Sequence, residues 1–307
     1  MRDPDAGRLP YDGWTMTDTA APAFQTRQFT APDGVTLAAD VATARAAHAP
    51  TVVLMHGGGQ TRHSWGTAAR TLAARGYGVV NLDARGHGDS GWSADGRYGL
   101  DRLALDLQQV MRTLAAPVAL VGASMGGGTA LTYVGRGLEP SAAALVLVDI
   151  VPRVEQSGAD RIRAFMRANP QGFANVEEAA DAVARYYPHR PRPKDISGLR
   201  KNLRPRPDGR LRWHWDPHVI DGPHLVEPPT FQSTLVDASR NVRIPTLLVR
   251  GLQSDIVSEA GVVELRRDLP QLEVLDIAGA GHMVAGDRND AFNDGVVQFL
   301  TRHLPAA

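Results

Sequence analysis

Residues Pro117-Val118-Ala119-Leu120-Val121-Gly122-Ala123-Ser124-Met125-Gly126-Gly127-Gly128 decide the fold. An apolar run enters the segment, small helix-compatible residues leave it, and a serine stands at the apex. That pattern is a strand, a sharp turn and a helix. Glycines two residues to either side of Ser124 let strand and helix approach closely, leaving the hydroxyl exposed on strained backbone. The N–H of Met125 then points to where an oxyanion would form. Glycine and serine are common residues, and this chain has 31 glycines. The pentapeptide therefore needs partners before Ser124 reads as a nucleophile.

A serine hydroxyl stays protonated at neutral pH, so it needs a base, and the base needs an orienting carboxylate. Gly279-Ala280-Gly281-His282-Met283 follows the alternating segment Leu272–Ile277, which reads as a strand. Of ten histidines, His282 alone combines a post-strand loop, small neighbours and a place after the serine. Asp255 lies four residues beyond Gly251, which closes the apolar strand starting at Ile244. Asp149, at the end of the apolar strand Ala144–Val148, is the rival carboxylate. Asp255 is preferred because its loop follows the penultimate strand, beside the histidine loop. Asp287 and Asp290 fall in a polar stretch read as the cap of the last helix. His56-Gly57-Gly58-Gly59 follows the buried strand Thr51–Met55, and its glycines free backbone N–H groups to turn towards the serine. Gly58 is the expected second oxyanion donor beside Met125, with Gly57 next. His56 is read as a brace for that loop.

These pieces, with Asp83-Ala84-Arg85-Gly86-His87-Gly88-Asp89-Ser90, make the chain similar to the α/β-hydrolase fold superfamily from about residue 26 to 303. The likeness is to the serine-nucleophile branch of esterases, lactonases and cofactor-free haloperoxidases. It implies an eight-stranded, mostly parallel sheet, with Ser124, Asp255 and His282 as the triad and a carboxylic ester or lactone as substrate. It implies no cofactor. The Asp83–Ser90 motif is read as structural support. Similar epoxide hydrolases and haloalkane dehalogenases carry aspartate at the elbow, where this chain has Ser124. Carbon–carbon bond hydrolases and related lyases keep a serine and are the enzymatic alternative; a slow-turnover small-molecule receptor is the non-enzymatic one.

The organisation agrees with a doubly wound α/β sheet, in which sites form at the carboxyl ends of the strands. Thr26–Val41 reads as a hairpin turning at Ala31-Pro32-Asp33-Gly34. Strands Thr51–Met55, Gly78–Leu82 and Val118–Val121 alternate with helices near residues 65–75 and 100–114 and after Ser124. The rhythm breaks after Val148. Residues 151–240 are expected to form a helical cap inserted after the sixth strand, with helix starts at Ser157-Gly158-Ala159-Asp160 and Asn175-Val176-Glu177-Glu178. Residues 26–150 and 241–307 then make the core, and 1–25 a loosely ordered arm. Ten Arg or Lys against two Asp occupy residues 185–212, which reads as a solvated face or as one inward arginine for an anionic group. Trp65, Tyr187, Trp213 and Trp215 are the expected pocket residues.

Composition narrows the function classes. The formal net charge is zero, so nothing global recruits nucleic acid or an anionic membrane. There is no cysteine, which excludes disulfides and thiolate chemistry, and no His-Glu-x-x-His or dinucleotide-loop spacing. His214 and His218 straddle Pro217 and are read as polar edges of the cap, so no metal site is expected. No stretch has the length of a membrane span or a signal-peptide core, so a cytoplasmic protein acting on a small molecule is expected. Nothing in the sequence fixes its oligomeric state.

Overall fold

The computed structural model describes residues 22–115, 117–188, 192–225, 230–284 and 289–306. Asp287, singled out above, lies outside the described residues, as do Arg190 of the basic block and most of the 1–25 segment. Strands β1 (Gln25–Thr30) and β2 (Thr36–Ala42) make the expected hairpin. Then β3 (Thr51–Met55), α1 (Gly66–Ala74), β4 (Gly78–Leu82), α2 (Leu100–Met111), β5 (Val118–Ala123), α3 (Met125–Gly135) and β6 (Ala144–Val148) alternate.

The insertion follows, with α4 (Gln156–Arg167), α5 (Val176–Tyr186), a small hairpin of β7 (Leu203–Pro205) and β8 (Leu211–Trp213), α6 (His218–Asp221) and α7 (Phe231–Ser239). The chain returns through β9 (Thr246–Gly251), α8 (Glu259–Asp268), β10 (Leu272–Ile277) and α9 (Asn289–His303). Eight strands lie in the order β1-β2-β4-β3-β5-β6-β9-β10, parallel except for β2, which runs against both neighbours.

Period-two side chains divide the sheet between two cores. Val53, Leu120, Leu145 and Leu147 meet α2, α3 and α7, while Val52, Leu54, Val121 and Val146 meet α1 and α9. Central parallel strands are buried on both faces, hence their unbroken apolar runs.

The insertion departs from the sequence reading in three ways. It contains a hairpin, because Leu203, Leu211 and Trp213 pack inward while Arg204 and Arg212 alternate with them; the basic residues hid that short period. Its first helix starts at Gln156 behind Glu155, with no side-chain cap, so Ser157 lies inside the first turn. Finally, α7 belongs with the sheet's helical layer, not with a cap ending at residue 240. The Ala238 backbone lies so close to Gly135 of α3 that no side chain fits between them. Among the described residues, no helix is long and apolar enough to cross a membrane.

Candidate active site

Ser124 stands between β5 and α3 with φ 47 and ψ −112, a left-handed conformation costly for a residue with a side chain. The surrounding packing imposes it. A Cβ at Gly122 would collide with the Gly126 carbonyl group, and one at Gly126 with the carbonyls of Met55 and His56. Only glycine lets α3 start this close to β3 and β5. The Ser124 N–H still bonds the Val148 carbonyl at 3.0 Å, so the apex is tied to β6.

The structure brings Asp149, not Asp255, to His282. His282 Nδ1 lies 2.7 Å from Asp149 Oδ2, and the Asp149 side chain is fully buried. Asp149 also has positive φ, 49°, which lifts its carboxylate above the end of β6. The loop after β9 supplies donors in place of the acid: Gly251 N–H reaches Asp149 Oδ1 at 3.2 Å, and Ser254 Oγ reaches Oδ2 at 2.5 Å. With Ser254 turned towards Asp149, the next residue faces the insertion. Asp255 pairs with Arg161 of α4 at 2.7 Å. The carboxylate must accept, so it fixes the His282 proton on Nδ1 and leaves a lone pair on Nε2.

The turn after β3 leaves one N–H over. Gly57 N–H bonds Gln60 Oε1 at 3.2 Å, Gly59 N–H bonds His87 Nε2 at 3.1 Å, and Gln60 N–H bonds the Gly57 carbonyl at 3.1 Å. Among the described residues, Gly58 N–H alone in this turn has no acceptor. Gly57 sits beside the nucleophile candidate, its would-be Cβ 3.4 Å from that of Ser124. The unpaired N–H favours Gly58 over Gly57 as donor. Met125, half-buried at the start of α3, supplies an N–H that the helix leaves unpaired.

Three buried imidazoles brace this turn. His56 Nε2 accepts from Ala84 N–H at 3.0 Å, and its Nδ1 lies 2.8 Å from the Gly57 carbonyl. His87 Nδ1 faces the Arg85 carbonyl at 3.1 Å. From the insertion, His214 Nδ1 accepts from Gly88 N–H at 2.8 Å while Nε2 faces the Gly59 carbonyl at 3.3 Å. Each ring accepts from one N–H, so each is neutral. Burial pushes all three below the usual histidine range, His87 to about 3. Asp83 and Arg85 are structural, as read: Asp83 accepts from the Arg62 backbone and guanidinium, and Arg85 is clamped by Asp106 and Asp33. Among the described residues, no three His, Asp or Glu side chains gather to hold a metal.

The expected pocket residues fare differently. Trp65 is 2% exposed and packs 5.6 Å from Phe292 on the α1–α9 face of the sheet, so it is core. Trp213 and Trp215 stack at 5.1 Å beside Phe165 and are buried in the insertion's own core. Tyr187 is half-buried and edge-on to Tyr186. In the basic block, Arg192 pairs with Asp181, Arg204 with Asp89 and Arg206 with Asp208, while Arg212 lies over the exposed Trp92 ring at 4.5 Å. Sequence reasoning missed Ser254 and Gln60. Gln60 was visible as the polar residue ending the glycine run; Ser254 carries no sequence signal.

The family model of the alpha/beta hydrolase fold matches residues 50–288. The esterase Rv0045c of Mycobacterium tuberculosis is 29% identical over 252 residues, 78% of this chain and 79% of that one. The sn-1-specific diacylglycerol lipase ABHD11 of Mus musculus is 30% identical over 263 residues, 82% of this chain and 81% of that one. The crystal structure of E-2-(acetamidomethylene)succinate hydrolase superposes with a TM-score of 0.75 at 25% identity, covering 91% of this chain and 99% of that one.

Proposed function

This chain belongs to the alpha/beta hydrolase fold family, and we propose that it cleaves a carboxylic ester or lactone of a small neutral molecule. The observation that carries the reading is Ser124 on its positive-φ elbow after β5, with a His282–Asp149 pair at 2.7 Å whose carboxylate follows the neighbouring strand β6. Ser124 Oγ attacks the carbonyl carbon as His282 Nε2 takes its proton. Asp149 holds Nδ1–H and stabilises the imidazolium. The Gly58 and Met125 N–H groups receive the oxyanion. His282 then protonates the leaving alkoxide, and a water activated by the same nitrogen hydrolyses the acyl-enzyme.

Relatives named as an esterase and a diacylglycerol lipase support an ester bond. The insertion serves as the cap that shapes the pocket. A neutral substrate is favoured because Arg161, beside the loop after β9, is already held by Asp255, and Arg192, Arg204, Arg206 and Arg210 of the basic block are held by carboxylates.

A fluorophosphonate should label Ser124, and Ser124→Ala should lose label and turnover together, on the order of a thousandfold or more. A panel of esters, lactones and vinylogous diketones, followed to steady state, ranks the chemistries. Preferential diketone cleavage would move the reaction to a carbon–carbon bond, and a burst without turnover to a receptor. Full activity in folded Ser124→Ala would sink the mechanism.

A further inference from the structure

One helix of the insertion spans the site from the loop after β9 to the turn after β3. At the first turn of α4, Gly158 lies so close to the Asp255 carbonyl that a Cβ would collide with it. At the last turn, Met166 covers the glycines after β3. Its Cγ, Sδ and Cε lie 3.4–3.5 Å from where a Gly59 Cβ would stand, and Sδ lies 3.9 Å from the same point on Gly58. Between them, Ile162 packs both on the core below and on the insertion's core above. Residues 158, 162, 165 and 166 fall on one helical face, so that face runs along the site.

The two ends of this face meet different parts of a substrate. A carbonyl oxygen on Gly58 N–H sits about 3 Å from that nitrogen, so its carbon's substituents touch whatever covers Gly58 and Gly59. The leaving alkoxide must take its proton from His282, whose partner Asp149 is held by the loop under the Gly158 end. Eight residues of helix, about 12 Å, separate Gly158 from Met166. The alcohol group therefore belongs near the Gly158 end and the acyl group near Met166.

We propose that Met166 is the residue that limits the acyl group, selecting short acyl chains; the inference rests on the ester-hydrolase reading of this same site. Met166 is 6% exposed, and its cluster includes Phe173 and Trp213, with Phe165 packed against it. A thioether is flexible enough to close on a short chain, yet it leaves no space beyond.

The test uses the full chain with p-nitrophenyl esters from acetate to decanoate. Met166→Ala removes Cγ, Sδ and Cε, so the ratio of kcat/KM for octanoate over acetate should rise about tenfold or more, chiefly through KM. Met166→Leu should keep the wild-type profile. Thermal melts check folding, and if Met166→Ala melts below assay temperature, Met166→Val should shift the ratio the same way. An active wild type whose ratio ignores both small substitutions overturns the inference alone. So does a loss in kcat that is equal across chain lengths, which would mark Met166 as packing for the oxyanion turn. A wild type that cleaves no ester and takes no phosphonate label overturns the inference together with the reading beneath it.

Discussion

At the scale of residues, the acid was the open choice. Both aspartates end a strand or follow one, and both lie where a carboxylate reaches a histidine loop. Hydrogen bonds to the charged form decide between them. Asp149 collects Gly251 N–H, Ser254 Oγ and His282, whereas among the described residues the Asp255 carboxylate pairs with Arg161 alone, whose side chain is half exposed. Asp149→Asn should therefore cut kcat/KM on the order of a thousandfold, because an amide NH₂ in place of the oxygen leaves His282 in the wrong tautomer. Asp255→Asn breaks a partly solvated pair and should change activity only a few-fold, with stability moving by about 1 kcal/mol or less. Steady-state kinetics on both folded variants checks the ranking, and the reverse order would restore Asp255 as the acid. The sequence showed Ser124, His282 and Gly58 because each carries a local backbone signature. It left the acid ambiguous because position in a loop says nothing about which way neighbouring side chains turn. Ser254 and Asp255 are adjacent and face opposite partners.

At the scale of elements, the contact between the start of α3 and the end of β3 is tightly constrained. Gly126→Ala drives a methyl into the Met55 and His56 carbonyls, so α3 must shift away from the sheet and Ser124 must move with it. A loss of about 3 kcal/mol is expected from such overpacking, together with a large fall in kcat. Chemical denaturation and turnover should drop together; a variant as stable as wild type would mean that the helix start is looser than it looks. This level was the most legible in the sequence. Thr51–Met55, Gly78–Leu82, Ala144–Val148 and Leu272–Ile277 have the bounds that the sequence pattern predicts; the first three, buried and parallel, stop where the next side chain is polar, at His56, Asp83 and Asp149. Asn175 also caps its helix as read, accepting from Glu178 N–H at 2.9 Å. The β7–β8 hairpin escaped, because three-residue strands carry too little alternation to stand out from a basic run.

At the scale of the whole molecule, His56, His87 and His214 join the turn after β3, the 84–90 loop and the insertion, each as a neutral acceptor. Their folded values lie below the unfolded value near 6.5, so the unfolded chain binds protons first as acid is added. The stability they contribute is complete above about pH 6.5 and falls below it, by as much as about 4 kcal/mol per pH unit if all three remain neutral in the fold. Asp33, held low by Arg85, adds the same sign only below about pH 4. Urea unfolding at pH 7, 6 and 5 should trace that slope, and His87→Gln should flatten it by about a third; a flat wild-type profile between pH 6.5 and 5 would refute it. Placing the acid on β6 also bears on how such a chain is able to change over generations. Ser124 and Asp149 sit on neighbouring strands of a single β5–α3–β6 unit, with Ala123 and Val148 in register. That unit is inherited as one short block, and the insertion begins immediately after it. Lengthening, shortening or exchanging the inserted segment leaves the spacing of the proposed nucleophile and acid untouched. A lineage is thus free to try new pockets without rebuilding the chemistry beneath them.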